Sequence, residues 1–286
     1  MADNTLKTDT PVSEQNFPLI FKNLNLYLSF MKITIRSQMA HRSAFWAGLV
    51  GQWLAYGSSF ATLYILVSNF RFLADFSAQE VLFLYAMNLL SYALGASFFF
   101  NPCINLASKI RTGEFDAALT KPVSPFGHEF YMGFNFGYLS HITLSAGVMI
   151  YALISTGFTP SLLSILIFTG VLIGAVLVQS AFLITASAFS FFLINENPVF
   201  ELVWNIKVFT NYPLRIYPLF LQIFLTFIVP VAFMNFYPAS AVLGKEMPFS
   251  FPVHLGYLSP LAGIILFILS VLFWNRALSK YQSTGT

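Results

Sequence analysis

The chain has 286 residues, of which 57% are hydrophobic, 18% aromatic and only 9% charged. Soluble domains carry about 25% charged residues, so this composition excludes an ordinary soluble protein and predicts an integral membrane protein. The net charge of +3 is small, and the position of the charges along the chain says more than their sum. A single cysteine, Cys103, excludes an intrachain disulfide.

The N-terminal region consists of a polar stretch followed by a stretch with the hydrophobic periodicity of a helix. Residues 1–18 are polar and interrupted by proline, which predicts a disordered tail without a cleavable signal peptide. Residues 19–43 combine an apolar stripe with four basic side chains, which predicts an amphipathic helix lying along the membrane surface. The same pattern also fits a soluble extension of the first span.

Six long apolar runs follow. A hydrocarbon core of about 30 Å requires about 20 apolar residues in a helix. On this criterion the predicted spans are 44–68, 80–103, 130–156, 161–193, 216–235 and 257–275. The predicted fold class is an all-α integral membrane protein with six transmembrane helices over 44–276 and a C-terminal tail at 277–286.

The basic residues are distributed unequally between the two sides. Six spans place both termini and the loops after the second and fourth spans on one side. That side collects twelve of the Lys and Arg residues: Lys7, Lys22, Lys32, Arg36, Arg42, Lys109, Arg111, Lys121, Lys207, Arg215, Arg276 and Lys280. The other side has two, Arg71 and Lys245. This bias predicts that both termini are cytoplasmic, with Trp46 and Trp274 as interfacial anchors.

Within the predicted spans no acidic or basic side chain lies well inside the membrane. Ion-coupled transporters usually place ionisable groups there, so the pattern disfavours that class. The polar residues at this depth are predicted to form hydrogen bonds between helices: Gln52, Asn88, His141, Gln179 and Gln222. A proton relay through His141 is the alternative for that residue. Two small-residue pairs predict close helix contacts, Gly133 with Gly137 and Gly170 with Gly174.

Two connecting segments contain several prolines. Residues 194–218 are predicted to lie on the cytoplasmic side or at the membrane interface, with a short amphipathic helix from Pro198 to Pro213. Residues 236–256 are too apolar for a free loop, and three prolines argue against a continuous span. They predict a re-entrant or surface-lying hairpin on the outer side, between the fifth and sixth spans.

The most polar interruption of the apolar sequence is the stretch 104–126. Gly113 is placed to end a helix, and Pro122 and Pro125 oppose another one. Between them Phe115 and Leu119 face one way among charged residues, which predicts a rigid helical elbow whose exposed apolar pair docks a partner. The alternative is an elbow that only rests on lipid headgroups.

Several kinds of chemistry lack their sequence signals. Lys245 follows a glycine but precedes Glu246, so no phosphate-binding loop is present. The four histidines are scattered, so the sequence offers no cluster of metal ligands. A membrane-embedded enzyme acting on lipid is an alternative function, and it would rely on cytoplasmic Glu114, Asp116, His128 and Glu129.

The run IRTGEFDAALTKPVSP, from Ile110 to Pro125, resembles a signature of permease subunits of type-two ABC exporters, I-x-[ST]-G-E-[FL]-D-x-x-L-x-[RK]-P. It is most similar to the bacterial branch described as permeases of uncharacterised transport systems. Supporting matches are proline-centred, at 211–213, 216–218, 228–230 and 237–239. The resemblance covers roughly residues 20–280.

The resemblance implies a transport permease in the bacterial cytoplasmic (inner) membrane, without an ATPase site of its own. Two ABC ATPase subunits per complex would bind ATP and Mg²⁺, so this chain itself would hold no cofactor and no metal. A second permease chain, identical or related, would complete the pathway, with lipids as neighbours and no nucleic acid. The elbow would be the coupling helix that contacts the ATPase, through Ile110, Arg111, Thr112, Gly113, Glu114, Phe115, Asp116, Leu119, Lys121 and Pro122.

The resemblance implies export of lipids, glycans, peptides or drugs. The high content of Phe and Tyr predicts an apolar or amphipathic substrate, and the alternative is that most of these rings face lipid or pack between helices. The first, second and fifth spans are expected to line the pathway by family analogy. The candidate pathway residues are Gln52, Tyr56, Phe98, Phe99 and Phe100. Export driven by a separate ATPase is the leading hypothesis, and an ion-coupled secondary transporter is a further alternative to it.

Overall fold

The computed structural model describes residues 16–69, 73–158, 160–193 and 197–282. Most of the predicted tail 1–18 and the last four residues of the C-terminal tail therefore lie outside the described residues. Over the described ranges the chain forms eleven α-helices: α1 Asn16–Gln38, α2 Arg42–Ser68, α3 Ala78–Arg111, α4 Asp116–Leu119, α5 Pro125–Met132, α6 Leu139–Ser155, α7 Leu162–Ala188, α8 Pro198–Ile206, α9 Leu219–Ile223, α10 Phe236–Leu243 and α11 Ser259–Leu278.

Within those ranges, four helical segments are long and apolar enough to cross a membrane: Ala78–Arg111, Phe136–Ser155, Leu162–Phe191 and Val253–Leu278. They coincide with the predicted second, third, fourth and sixth spans. Helix α2 has 27 residues, which is long enough for a first span, but Gly, Ser and Gln side chains lower its mean hydropathy. The chain is thus an all-helical, multi-pass membrane protein, and the count of six spans stays a prediction.

Helix α3 is the central element of the bundle. It contains 34 residues, or about 51 Å of helix. Ser77 caps its start in a capping box with Glu80, and α6 and α7 pack along its buried face. We refer to the two ends of the bundle by the ends of this helix, the Ser77 end and the Arg111 end.

The closest helix contact joins α7 to α11. A Cβ atom added at Gly174 would lie 2.5 Å from the backbone nitrogen of Pro260, and one added at Gly263 would overlap the backbone of Gly174. Small residues therefore let these two backbones meet, as predicted for Gly174. Its predicted companion Gly170 faces open space instead, and Gly133 packs on Pro102 of α3.

The predicted fifth span at 216–235 is wrong as a continuous membrane-crossing helix. Its helical part, Leu219–Ile228, would extend only about 15 Å, which is half of a hydrocarbon core. Pro218 precedes this part, and the backbone leaves it at Val229, just before Pro230. The segment that runs between the two ends of the bundle is instead the preceding one, 197–217.

Contacts at its two ends establish the course of this segment. At the Arg111 end, the Asn197 side chain donates to the carbonyl of Ala186 at 2.7 Å, near the end of α7. At the Ser77 end, Arg215 lies 3.1 Å from Asp75, in the loop before α3. The prediction that 194–218 lies entirely on one side is therefore wrong. The segment contains short helices, α8 and 207–211, and a criterion that looks for long apolar runs does not detect it.

The chain from 219 to 258 folds over the Ser77 end. Helix α10 is almost fully buried, and Lys245, just after it, lies 2.9 Å from Glu80. Arg215 also approaches Glu246 at 3.7 Å. These ion pairs fix the segment 219–258 to the start of α3, and the re-entrant character predicted for 236–256 stays a prediction.

Candidate functional site

The elbow between α3 and α5 forms one compact turn at the Arg111 end. Helix α3 ends beside Gly113, whose φ of 73° lies in the left-handed region that glycine tolerates best. The amide of Phe115 then donates to the carbonyl of Lys109 at 3.1 Å. After the single turn of α4, the Ser124 side chain caps α5 by accepting from the amide of Gly127 at 3.0 Å.

Phe115 anchors this elbow in the protein. Its side chain is 0% exposed, and its ring centroid lies 5.4 Å from Phe191, 6.5 Å from Trp274 and 5.2 Å from Tyr281. The prediction of an exposed Phe115 is therefore wrong, since these aromatic rings from the ends of α7 and α11 enclose it. Trp274 is likewise a buried part of this cluster and not an interfacial anchor.

Charged groups hold the elbow to its neighbours. Lys109 Nζ lies 2.8 Å from the carboxylate of buried Glu129 on α5 and 3.9 Å from exposed Glu114. The hydroxyl of Tyr281 donates to Asp116 at 2.9 Å. Burial, with help from this aspartate, raises the pKa of Tyr281 to about 12, so the hydroxyl stays a donor at neutral pH.

The predicted coupling residues divide by exposure. Ile110 and Phe115 are buried, and Gly113 and Asp116 are partly covered. The outward-facing members are Arg111, Thr112, Glu114, Leu119, Lys121 and Pro122. Leu119 is 45% exposed, so the elbow presents this large apolar side chain, beside Pro122, among charged and polar ones.

Most of the four residues considered for an embedded enzyme form contacts that stabilise the elbow. Glu129 is 4% exposed and paired with Lys109, and His128 Nδ1 lies 3.5 Å from it. Asp116 accepts the Tyr281 hydroxyl. The arrangement therefore fits a braced elbow better than an open catalytic cleft.

A second feature is a cavity of about 560 Å³ between α2, α3, the start of α6 and α8. Three of the five predicted pathway residues line it: Gln52, Tyr56 and Phe100. The other two lie elsewhere. The ring of Phe98 lies 5.3 Å from Phe134, and that of Phe99 lies 5.1 Å from Phe130.

Two further cavities continue along the same seam toward the Ser77 end. One of about 160 Å³ shares Tyr56, Tyr92 and Trp204 with the first cavity. Another of about 380 Å³ has an apolar lining from α2 and from residues 208–217. The three cavities together follow the seam between α2, α3 and the segment 197–217 over much of the bundle.

Lys207 lies in the middle of this seam. Its Nζ is 3.1 Å from the ring centroid of Tyr92 and 5.1 Å from that of Trp204. Tyr92 is about 22 Å along α3 from the Ser77 end and about 28 Å from the Arg111 end. The prediction that no basic residue lies inside the membrane is therefore wrong, because Lys207 belongs to the crossing segment that had been assigned to a loop.

Polar side chains of three segments meet beside Lys207. Asn88 on α3 donates to Thr210 at 2.9 Å and to Asn211 at 3.1 Å, and it accepts from Gln179 on α7 at 3.0 Å. The predicted interhelical role is thus confirmed for Asn88 and Gln179. The amide of Gln222 bonds locally to the carbonyl of Tyr217. This network fixes the 207–211 turn, and with it Lys207, against α3.

His141 lies on the wall of the larger cavity. Its ring centroid is 4.2 Å from that of Tyr56, and its Nδ1 is 3.2 Å from the Ser140 hydroxyl. The hydroxyls of Tyr92 and Tyr138 lie 3.2 Å apart nearby. The cavity therefore combines aromatic faces with hydroxyl, amide and imidazole groups. Such a lining suits an amphipathic molecule.

Comparison with known proteins gives one match. No curated protein matches the chain, and no solved structure does. A family model described as "ABC-2 family transporter protein" matches residues 53–285. This range includes the elbow, all but the first eleven residues of α2 and the lining of the two smaller cavities of the seam. The resemblance seen in the sequence is thereby confirmed, and the chain belongs to the ABC-2 family of transporter membrane proteins.

Proposed function

We propose that this protein is the permease subunit of an ATP-driven exporter, and that a separate ABC ATPase docks on the elbow formed by residues 110–122. The observation that carries the proposal is the combination of a buried anchor with an exposed face. Phe115 is enclosed by aromatic rings, whereas Glu114 and Leu119 point away from the bundle. A coupling element requires both properties.

The anchor supports a mechanical role. Phe115 contacts Phe191 beyond the end of α7, Trp274 within α11 and Tyr281 beyond α11. The elbow is also the direct continuation of α3. A movement imposed on the exposed face would therefore reach three long helices through close-packed contacts, which transmit displacement because protein interiors have low compressibility.

Charge distribution supports a cytoplasmic position for the Arg111 end. Moving Lys207 into the membrane and Arg215 to the Ser77 end lowers the basic count on the cytoplasmic side from twelve to ten. It raises the count on the other side from two to three. The bias still favours both termini inside. We place the protein in the bacterial cytoplasmic membrane on this basis and on family membership.

The seam of cavities supports a substrate path between the first span, the second span and the segment 197–217. Gln52, Tyr56 and Phe100 are its wall residues in this proposal. A second permease copy, identical or related, would close the open side of the seam. ATP and Mg²⁺ would bind to two ATPase subunits, since this sequence carries no phosphate-binding loop.

The proposal is tested with an ABC ATPase that we expect to be encoded near this gene. The two proteins are co-expressed, purified through a tag on the permease and reconstituted in vesicles. Glu114→Ala combined with Leu119→Ala is expected to reduce ATPase association and stimulated hydrolysis at least tenfold. Glu246→Ala is the matched control, because Glu246 is an equally exposed acid at the opposite end of the bundle.

Unchanged association and stimulation in the double variant would refute docking at the elbow. Transport that survives ATP depletion and collapses with the proton gradient would instead favour the secondary transporter. Because neither exchanged side chain is buried, loss of folding is not an expected cause of reduced association in the double variant.

A further inference from the structure

Lys207 has an environment that leaves its charge without an anionic partner. Among the described residues no carboxylate forms an ion pair with Lys207. By contrast, three basic side chains at the two ends of the bundle each pair with at least one carboxylate: Lys109, Arg215 and Lys245. The contacts of Lys207 are the faces of Tyr92 and Trp204. These cation–π contacts offset only part of the cost of placing an ammonium group at this depth.

The backbone that carries this ammonium group is held in place. Thr210 donates to the carbonyl of Lys207 at 2.6 Å and accepts from Asn88. Asn88 is held in turn by Gln179. The lysine therefore has a braced backbone at its base, and its side chain contributes to the wall of the 160 Å³ cavity.

The surroundings of the charge are amphipathic. Beyond Tyr92 and Trp204, the cavity of 560 Å³ offers apolar surface from Phe45, Leu49 and Phe100. Asn88 and Asn211 share the smaller cavity with Lys207 and add polar groups there. A charged group with amide neighbours thus adjoins a larger cavity whose aromatic and aliphatic side chains leave room for part of an alkyl chain.

We propose that Lys207 binds the anionic group, phosphate or carboxylate, of an amphipathic substrate whose apolar part occupies the adjoining cavity. The inference rests on the proposed function and specifies its substrate class. The anionic group supplies the counter-charge that the described residues do not provide, and a charge-assisted hydrogen bond forms between this group and the ammonium. Asn88 and Asn211 then lie close to the bound headgroup.

Matched ligands separate the charge from the alkyl chain. The probes are dodecyl phosphate, dodecanoate and uncharged dodecyl maltoside, added below their micelle concentrations to the full chain in nanodiscs. Binding is followed by tryptophan fluorescence, because Trp204 borders both cavities. Trp204→Phe identifies which part of the signal is local. The phosphate and carboxylate probes show which anionic group is preferred.

Wild-type protein is expected to bind an anionic probe about tenfold or more tightly than the uncharged one. Lys207→Met should remove that preference while leaving dodecyl maltoside binding within about twofold. Lys207→Arg should retain the preference. Lys280→Met is the control for removing one positive charge, since Lys280 is exposed at the Arg111 end of the bundle.

Equal weakening of all three probes by Lys207→Met would overturn the inference and assign the lysine a packing role. No preference in the wild type would also overturn it, whether or not Lys207→Met folds. The measurement uses neither nucleotide nor partner. A failed preference with intact ATPase coupling therefore refutes the substrate class alone, and failed coupling with an intact preference refutes the proposed docking alone.

Discussion

Replacing Phe115 by alanine tests whether burial of this side chain holds the elbow against the bundle. A buried phenylalanine hides about 150–250 Å². At about 25 cal/mol per Å² this corresponds to roughly 4–6 kcal/mol for the whole side chain. Alanine retains part of that area, so the expected loss of unfolding free energy is about 3–5 kcal/mol, in the range of other buried Phe→Ala changes.

Thermal unfolding of the purified protein measures this loss, and limited proteolysis reports where it acts. Phe115→Ala should lower the unfolding temperature and expose the 112–124 region to cleavage first. Leu119→Ala is the control on the same elbow, because Leu119 is 45% exposed and should change stability by about 0.5 kcal/mol or less. Equal unfolding temperatures and equal cleavage for the two variants would refute the buried anchor.

Three further changes test other contacts. Gly174→Ala should force α7 away from α11 and destabilise the protein by about 1–3 kcal/mol, whereas Gly170→Ala, which faces open space, should be close to neutral in the same melting assay. Lys109→Met leaves the carboxylate of Glu129 buried without its partner and should cost about 3 kcal/mol, and adding Glu129→Gln should restore most of it; no recovery would mean that the pair is not the cause. The pKa of Tyr281 is raised from 10.0 to about 12, so its stabilising contribution is complete below pH 10 and is lost as the pH rises toward 12. Tyr281→Phe should lack this alkaline loss in pH-dependent melting, and identical curves for the two proteins would contradict the assignment.

Long apolar runs and glycine punctuation predicted much of this fold. Four predicted spans match helices because a run of about 20 apolar residues has few other stable arrangements. Gly113 ends α3 as expected, since it provides the left-handed backbone angle that a helix end uses. The elbow itself was recognisable from this glycine and the prolines that follow.

The errors have one physical cause, which is that local pattern does not reveal tertiary partners. Phe115 stands among charged residues in the sequence, yet rings from the ends of α7 and α11 cover it. The crossing at 197–217 is broken into short helices, so no apolar run marks it. A signal was available in the amphipathic stretch after Pro198, where Lys207 interrupts aromatic and aliphatic residues.

The five candidate pathway residues also do not all face the same cavity. Gln52, Tyr56 and Phe100 share a cavity, whereas neighbouring Phe98 and Phe99 point to other helices. Successive residues of a helix differ by about 100° in direction, so three consecutive phenylalanines cannot all face one cavity. Sequence alone did not indicate which of the three would do so.

Helix α3 runs without a break from the Ser77 end to the elbow, so a displacement of the elbow would move residues far along the helix. Tyr92, the residue beneath Lys207, lies about 28 Å along the helix from Arg111. A tilt of about 5° at the elbow would therefore carry Tyr92 through roughly 2.5 Å, which is enough to break its contact with the lysine. Pro102 lies between the two points and is where such a rod would flex, since proline removes one backbone hydrogen bond. Gly133 packs against that proline, so a larger side chain at position 133 would press on the helix at this point.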